Sequence, residues 1–174
     1  MRQALAVAAT AAIVVVYAVR SDARVPQPDQ SITRSVSGTA VHHFTTAIIH
    51  SETPTATGKL QRSTDIVDLN GDLKGRVLYH PTTVIDTVRG TLVNTGSQVF
   101  SGTVLGSEPV LLYDDRFRFE VDLKTGGVES GEVHLSNRLA GPKIGCDLVV
   151  VGAGAKTPEG DGIVEYRGTC TFKR

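Results

Sequence analysis

Three polar residues are placed to do acid–base chemistry, because each shares a predicted strand face with apolar neighbours. They are His42, Asp86 and Tyr166. Side chains two positions apart on a strand point to the same face, so all three are expected to point inward. A buried imidazole, carboxylate or phenol can exchange a proton with a bound molecule, which makes these the predicted catalytic residues. The alternative is that they are hydrogen-bonded core residues.

Aromatic side chains provide the predicted ligand-binding surface. Its members are Phe44, Phe100, Phe117, Phe119 and Tyr166. Such residues favour a small apolar ligand, provided that they leave a void of a few hundred Å3 between them. An interior that they fill completely would permit neither ligand binding nor internal catalysis.

The chain has two cysteines, Cys146 and Cys170, at mirror positions about Pro158. An antiparallel hairpin centred there would place them opposite each other, and Val150 opposite Tyr166 on the same face. Directly opposed Cα atoms are about 4.5 to 5.5 Å apart, a separation that a disulfide tolerates. We therefore predict a cross-strand disulfide with its sulfurs in the core. The pairing would remove both thiols from any catalytic role.

No metal or organic cofactor is expected from the remaining polar residues. His42 and His43 are neighbours, so on a strand they point to opposite faces and cannot chelate one ion. The Gly-Ala-Gly-Ala segment at 152–155 has no third glycine, and Pro158 follows it instead of a helix pattern. A phosphate-binding loop needs the glycine spacing and a helix after it, so this segment is predicted to be a turn.

Composition and the N-terminus limit the classes of function. Basic and acidic side chains number 18 each, and there is no Trp. Without a basic surface or stacking aromatic residues, nucleic-acid binding is not expected. Residues 1–23 combine a basic start, an apolar run and small residues at a cleavage site, as in a signal peptide. We expect export to the periplasm or beyond, with no stable membrane span after cleavage. An uncleaved anchor is the alternative, although the apolar run is shorter than the span of about 20 residues.

The rest of the chain is predicted to be a disordered lead-in at 24–34 and a single domain at 35–174. Gly, Asn, Asp or Pro interrupt short apolar segments about every ten residues, which is typical of an all-β sandwich or barrel. Successive antiparallel strands favour a meander closed into a barrel of about eight strands, because closure removes exposed edges. The predicted strands are 35–45, 59–69, 72–80, 83–93, 97–105, 115–123, 128–137, 144–153 and 162–173.

Three turn signals set the expected strand pairing. Asn70-Gly71 is the strongest, because both residue types tolerate the positive φ of a type I′ turn. Residues 94–96 and 124–127 mark two more reversals, and His80-Pro81 is expected to end a strand. The pairs that follow are Gly90 with Phe100 and Val88 with Gly102 about Thr95, and Phe119 with Val133, Phe117 with Leu135 and Val121 with Gly131 about Gly126.

Two sequence segments of this meander resemble a known family. FSGTVLG at 100–106 and RFRFEVDLKTGG at 116–127 resemble the allene oxide cyclase-like barrel superfamily, which includes the dirigent proteins. The likeness covers residues 35–173 and implies an eight-stranded barrel with an apolar cavity. It also implies cofactor-free guidance of cyclisation or coupling of an apolar substrate. No family catalytic motif matches residue by residue. A lipocalin, the neighbouring alternative, usually carries a Gly-x-Trp that this chain lacks.

Three functions remain open from the sequence. The first is an exported barrel that binds a small apolar molecule and steers its cyclisation or isomerisation. The second is a non-catalytic carrier, or a structural barrel with a packed interior. The third is a surface-recognition module that uses the loop at 154–161. The size of the interior cavity separates the first two, and homo-oligomerisation is left open.

Overall fold

The computed structural model describes residues 30–173, which form one antiparallel sheet. The predicted signal peptide 1–23 and most of the predicted lead-in lie outside the described residues, and strand begins at Ser31. A single 3-10 turn spans Phe44–Thr46. The strands are β1 Ser31–His42, β2 Ile48–Thr55, β3 Gly58–Gly71, β4 Leu73–Asp86, β5 Thr91–Val104, β6 Val110–Asp114, β7 Arg118–Asp122, β8 Val128–Leu135, β9 Asn137–Ala140, β10 Ile144–Val151 and β11 Gly162–Lys173.

Eight of these strands close into the predicted barrel. The ring runs β1, β3, β4, β5, β7, β8, β10, β11 and back to β1, with every pair antiparallel. Ala40 of β1 pairs with Val164 of β11 on one side and with Leu69 of β3 on the other. The last hairpin therefore closes the barrel against the first strand. In residues 30–173 no helix is long and apolar enough to cross a membrane.

Three short strands lie outside this ring. β2 pairs only with β3 and forms an exposed edge. β5 is long enough to pair with β7 through its first half and with β6 through its second, and β6 then pairs with β9. The sequence analysis predicted no strand at 48–55, because its Ser, Glu and Pro residues break the apolar alternation.

The hairpin predicted about Thr95 is wrong. β5 runs without interruption through this segment, and Phe100 lies opposite Val77 instead of Gly90. Gly96 lies within β5, where it allows the backbone of β4 to approach closely. A Cβ at this position would lie 2.2 Å from the His80 carbonyl oxygen. The reversal between β4 and β5 falls at residues 87–90.

The predicted strand break at His80-Pro81 is also wrong, because β4 continues through both residues. Proline has no N–H to donate to a neighbouring strand. The ladder between β3 and β4 accordingly skips two positions, passing from Thr82 to Tyr79 on the β4 side. The proline thus sits where no ladder bond is needed.

The type I′ turn predicted at Asn70-Gly71 is wrong. Both residues belong to β3, only Gly71 has a positive φ, and the reversal centres on Asp72.

The turn at 124–127 is confirmed, but the register predicted for it is wrong. Phe119 lies opposite Gly131 instead of Val133, because the reversal centres near Thr125, one residue before the predicted centre at Gly126. A Cβ at Gly131 would lie 2.7 Å from the Phe119 ring. Glycine at this position therefore makes room for the inward phenyl ring.

The cysteine hairpin is confirmed in register and in chemistry. Cys146 pairs with Cys170 and Val150 with Tyr166 across β10 and β11. The two sulfurs are bonded, and both cysteines are at most 1% exposed. The disulfide therefore belongs to the interior of the barrel.

The interior has two different ends. The end that holds the disulfide, here called the closed end, is filled by side chains that are 0–1% exposed: Leu73, Phe100, Val104, Leu112, Cys146 and Cys170. The opposite end, here called the mouth, is bordered by the Phe44–Thr46 turn, the turns at 87–90 and 123–127 and the loop at 152–161. Inward side chains near the mouth are only partly buried, among them His42, Asn94 and Val121.

Candidate functional site

A cavity of about 110 Å3 lies inside the barrel on its mouth side. Most of its wall is aliphatic, with Val67, Leu69, Val121, Val128, Val150 and Val164 among the lining residues. Its polar lining groups come from His42, Tyr79, Asn94, Gln98 and Tyr166. This combination of an apolar wall with a few polar groups is typical of small-molecule sites.

His42, a predicted catalytic residue, lines the cavity and is paired with Asp65. The imidazole Nε2 and the carboxylate Oδ2 are 2.8 Å apart, with side-chain exposures of 26% and 6%. The pair forms because β1 and β3 are neighbours and His42 lies opposite Val67, two residues from Asp65. A carboxylate at this position fixes the ring orientation and its tautomer. The sequence analysis missed Asp65, although its phase with Val67 and Leu69 is a signal of the kind used for His42.

Tyr79 is a second functional group that the sequence analysis did not select. It is 3% exposed, lies directly opposite Asp65, and packs its ring edge-on to His42 at 5.4 Å between centroids. Burial, reinforced by the negative charge of Asp65, raises the pKa of Tyr79 well above its ordinary value of 10.0. The hydroxyl therefore remains protonated at neutral pH and can donate a hydrogen bond.

Asn94 completes the polar wall. It lies opposite Thr83 of β4 and Phe119 of β7, and its side chain is hydrogen-bonded to Tyr79. The amide Oδ1 is buried and has no hydrogen-bond partner among the described residues. The sequence analysis missed Asn94 because it assigned the residue to a turn, where a solvated amide is expected.

Tyr166 lines the cavity, but its hydroxyl serves the fold. The oxygen accepts the Leu73 N–H at 2.8 Å and can donate to the carbonyls of Leu73 or Asn70, at 3.1 and 3.2 Å. A Cβ on Gly38 would lie 2.3 Å from this oxygen, so glycine is needed beside it. Burial raises the pKa of Tyr166. These bonds fasten the turn between β3 and β4 to β11.

Asp86 lies apart from the other two predicted catalytic residues. It ends β4, and its carboxylate accepts the backbone N–H groups of Val88 and Arg89 at 3.0 and 2.9 Å. The bond from Arg89 is the first cause of its lowered pKa. Asp86 does not line the cavity with His42 and Tyr166. The misplaced turn about Thr95 had put this residue in mid-strand, whereas it caps the turn that follows β4.

The predicted aromatic ligand-binding residues divide by position. Phe119 lines the cavity. Phe117 packs behind it against Tyr79, with the two ring centroids 4.8 Å apart. Phe100 is fully buried at the closed end, and Phe44 is 42% exposed beside His42 at the mouth. The structure therefore brings Phe119 and Tyr166 to the cavity wall, while the other phenylalanines support the wall or its rim.

A second histidine cluster lies outside the barrel. His43 Nδ1 is 2.8 Å from Asp161 Oδ2, and its Nε2 is 3.1 Å from Asp68 Oδ2. Asp161 also accepts the backbone N–H and hydroxyl of Thr45. The hydrogen bond to Asp161, followed by that to Asp68, raises the pKa of His43. The cluster ties the loop at 152–161 to the rim of the mouth, on the face opposite to His42.

In residues 30–173 no group of three or more His, Cys, Asp or Glu side chains is arranged to hold a metal ion. Comparison with known proteins gives no family assignment. No protein-family model matches this sequence, and no curated protein and no solved structure shows significant similarity to it.

Proposed function

We propose that this chain is an exported β-barrel protein that binds a small, mainly apolar molecule in its mouth cavity. The observation that supports the proposal is the cavity, an aliphatic chamber lined by His42, whose imidazole is paired with Asp65. Export is supported by the disulfide, because such bonds persist in oxidising compartments. The signal-peptide pattern at 1–23 also supports export.

The size of the cavity limits the ligand. At about 110 Å3 it is smaller than the void of a few hundred Å3 that was the predicted condition for ligand binding, so the ligand must be smaller than that condition assumed. A protein cavity of about 150 Å3 can hold benzene. In proportion, a cavity of about 110 Å3 holds about four or five carbon atoms, and a sixth non-hydrogen atom would extend into the mouth.

The His42–Asp65 pair gives this site a route to isomerisation. In the tautomer whose Nε2–H donates to Asp65, the His42 Nδ1 lone pair can accept a proton. From an α-hydroxyketone it would take the proton on the hydroxyl-bearing carbon, the C–H electron pair would form a C=C bond, and the C=O electron pair would move to the oxygen. The Tyr79 hydroxyl would donate a hydrogen bond to this oxygen. The hydroxyl proton would then pass to the enolate oxygen and the proton held by His42 would return to the former carbonyl carbon, which exchanges the positions of the carbonyl and hydroxyl groups.

Binding is tested with methylcyclopentane, a compact apolar probe, followed by NMR of the protein. Val164→Phe should abolish binding, because the larger side chain fills the cavity that Val164 lines. Val149→Phe is the matched control, since Val149 is 46% exposed on the strand beside it. Val121→Phe provides a second blocking variant if Val164→Phe does not fold. No binding to the wild-type protein, or equal binding to the blocked and control variants, would refute the proposal.

Proton transfer is tested separately with 2-hydroxycyclopentanone in D2O. We expect faster exchange of the proton on its hydroxyl-bearing carbon than in buffer alone, measured by 1H NMR. His42→Gln should abolish this acceleration while leaving methylcyclopentane binding intact. Exchange at the buffer rate with wild-type protein would remove the catalytic part of the proposal and leave a non-catalytic carrier.

A surface-recognition role for the loop at 154–161 has less support. This loop contributes none of the exposed large apolar side chains in the described part of the chain, and its end is held by Asp161. An interaction surface would need an apolar patch there.

A further inference from the structure

Two histidines on the outer wall of the barrel share one hydroxyl group. His50 lies on β2 and His80 on β4, the two strands that flank β3. The Nε2 atom of His50 is 2.7 Å from Oγ1 of Thr64 on β3, and the Nδ1 atom of His80 is 2.9 Å from the same oxygen. Both histidines are exposed to solvent. Two imidazole nitrogens from different strands therefore converge on one point of the surface.

The sheet is irregular on both sides of this point. The ladder between β2 and β3 skips His50, which is the extra residue of a bulge. The ladder between β3 and β4 skips Thr64 and His80, next to Pro81. Bulges re-aim side chains and are common beside functional sites. The meeting of the two rings thus depends on two separate departures from regular pairing.

A hydrogen-bonded bridge is one use of this arrangement, with the hydroxyl donating to one ring and accepting the N–H of the other. The same two nitrogens can also bind a metal ion, because imidazole is a ligand of Zn²⁺, Cu²⁺ and Ni²⁺. Zinc bonds to imidazole nitrogen at about 2.0 to 2.1 Å, so two ligand atoms of a tetrahedral site are about 3.4 Å apart. The ring that donates an N–H to the hydroxyl would have to move this proton to its other nitrogen. Because both rings are exposed, they are free to make the small rotations that this geometry needs.

We propose that His50 and His80 bind a divalent transition-metal ion of the zinc class on the outer wall of the barrel, with water at the remaining positions. The site has two imidazole ligands, which agrees with the absence of any group of three metal-binding side chains in residues 30–173. Neither histidine lines the cavity. The inference is therefore independent of the proposed function.

The ion would fasten the exposed edge strand. β2 pairs with β3 alone among the described strands, and all of its residues are exposed. A metal ion bonded to His50 and His80 would connect β2 to β4 across β3. A ligand that binds only the folded state stabilises that state. Metal binding should therefore slow amide exchange in β2.

The test uses the metal alone. Zinc chloride is titrated into the wild-type protein, and the imidazole ring protons are followed by 1H NMR, with assignments from His→Gln variants. We expect the signals of His50 and His80 to change together and to saturate at one zinc ion per chain. Mg²⁺ should change neither signal, because it prefers oxygen ligands. No response to zinc, or a response of one of these two histidines without the other, would overturn the inference.

Single variants test whether the two rings act as one site. His50→Gln should weaken zinc binding at His80 at least about tenfold, and His80→Gln should do the same at His50, because each change removes one of two metal bonds. His134→Gln is the matched control, since His134 is another histidine outside the barrel and is paired with Asp147. It should leave the affinity within about twofold. Unchanged affinity in either of the first two variants would show that the histidines bind zinc separately, which contradicts the proposal.

Amide exchange tests the link to β2. Saturating zinc should slow exchange in β2 of the wild-type protein and of His134→Gln, and it should have no effect in His50→Gln. Equal slowing in His50→Gln, or none in the wild-type protein, would contradict a bridge between β2 and β4. Methylcyclopentane binding should be the same with and without zinc, because the metal site and the cavity share no residue.

Discussion

The closed end and the mouth of the barrel are built from the same strands but from different side chains. On β4, Leu73 at the closed end is fully buried among apolar groups, whereas Tyr79 near the mouth brings a hydroxyl inward. On β5, Phe100 fills the closed end, whereas the buried Oδ1 of Asn94 has no hydrogen-bond partner within residues 30–173. The side chains that pack tightly and the side chains that could contact a ligand therefore lie at different positions along the barrel axis. The closed end stabilises a chamber whose polar groups face the mouth.

The largest expected effect comes from a matched pair of truncations. Phe100→Ala should cost about 3 to 5 kcal/mol of unfolding free energy, because Phe100 is fully buried in tight packing. Phe119→Ala should cost at most about 2 kcal/mol, since its ring already borders a cavity. Urea denaturation of both variants gives the comparison. Equal losses would contradict the division of the interior into a packed end and an open one.

Removal of the disulfide should have the next largest effect. The bond joins residues 24 positions apart, and closing such a loop is worth about 3.5 kcal/mol in the chain-entropy model. We expect Cys146→Ser/Cys170→Ser to lose about that amount in urea denaturation, with methylcyclopentane binding retained in the folded fraction. Titration of the denatured, unreduced wild-type protein should detect no free thiol. Two reactive thiols, or a loss of less than about 1 kcal/mol, would disagree with this account.

Tyr166→Phe tests the border between the two ends. The change removes the hydroxyl that accepts the buried Leu73 N–H, and an unpaired buried donor costs about 1 to 3 kcal/mol. The free energy of unfolding should fall by that amount, while deuterium exchange into 2-hydroxycyclopentanone per folded molecule stays unchanged. Full stability combined with lost exchange would instead make Tyr166 a catalytic residue.

The smallest effect is expected at the His43 cluster on the rim. Because the pKa of His43 is raised from its ordinary 6.5, its stabilisation is complete below that value and is lost as pH rises through the folded-state pKa. The pKa of Asp161 is lowered from 3.8, mainly by Thr45, so its contribution is present above 3.8 and disappears as pH falls through the lowered value. The loop at 152–161 should therefore be held most firmly between about pH 4 and 6.5.

His43→Gln checks this pH dependence. The variant should lose at most about 1 kcal/mol of unfolding free energy at pH 5.5, and less at pH 8.5. In the wild-type protein, protection of the Thr45 amide from exchange should differ between pH 5.5 and pH 8.5 after correction for the intrinsic pH dependence of exchange. In His43→Gln this difference should disappear. Asp147→Asn serves as a control, because Asp147 is 72% exposed and is paired with His134. If the variant lost more unfolding free energy at pH 8.5 than at pH 5.5, a raised pKa of His43 would be contradicted.

Local sequence signals predicted the parts of the fold that depend on neighbouring residues. The β10–β11 hairpin followed from the symmetry of Cys146 and Cys170, whereas the reversal expected at Asn70-Gly71 falls at Asp72, just after these residues. The register about Gly126 was wrong because the reversal centres about one residue earlier, near Thr125.

The candidate site was predicted only in part. His42 and Phe119 were selected and line the cavity, whereas Asp65, Tyr79 and Asn94 were not. Asp65 carried the same phase signal as His42, and Asn94 was assigned to a turn that does not form. The inward direction of Tyr79 depends on strand register, since a shift of one residue turns a side chain to the other face.

The sequence by itself determined an all-β chain, its two-cysteine hairpin and closure into a barrel, because alternation, turn chemistry and edge protection are properties of short segments. Only the tertiary structure decided that His42 meets Asp65 and that Asp86 caps a turn away from the cavity. It also decided that Phe100 fills one end while a chamber remains at the other. The physical reason is that side-chain burial inside a barrel depends on the register of every strand in the ring, and that register is fixed only when the ring closes.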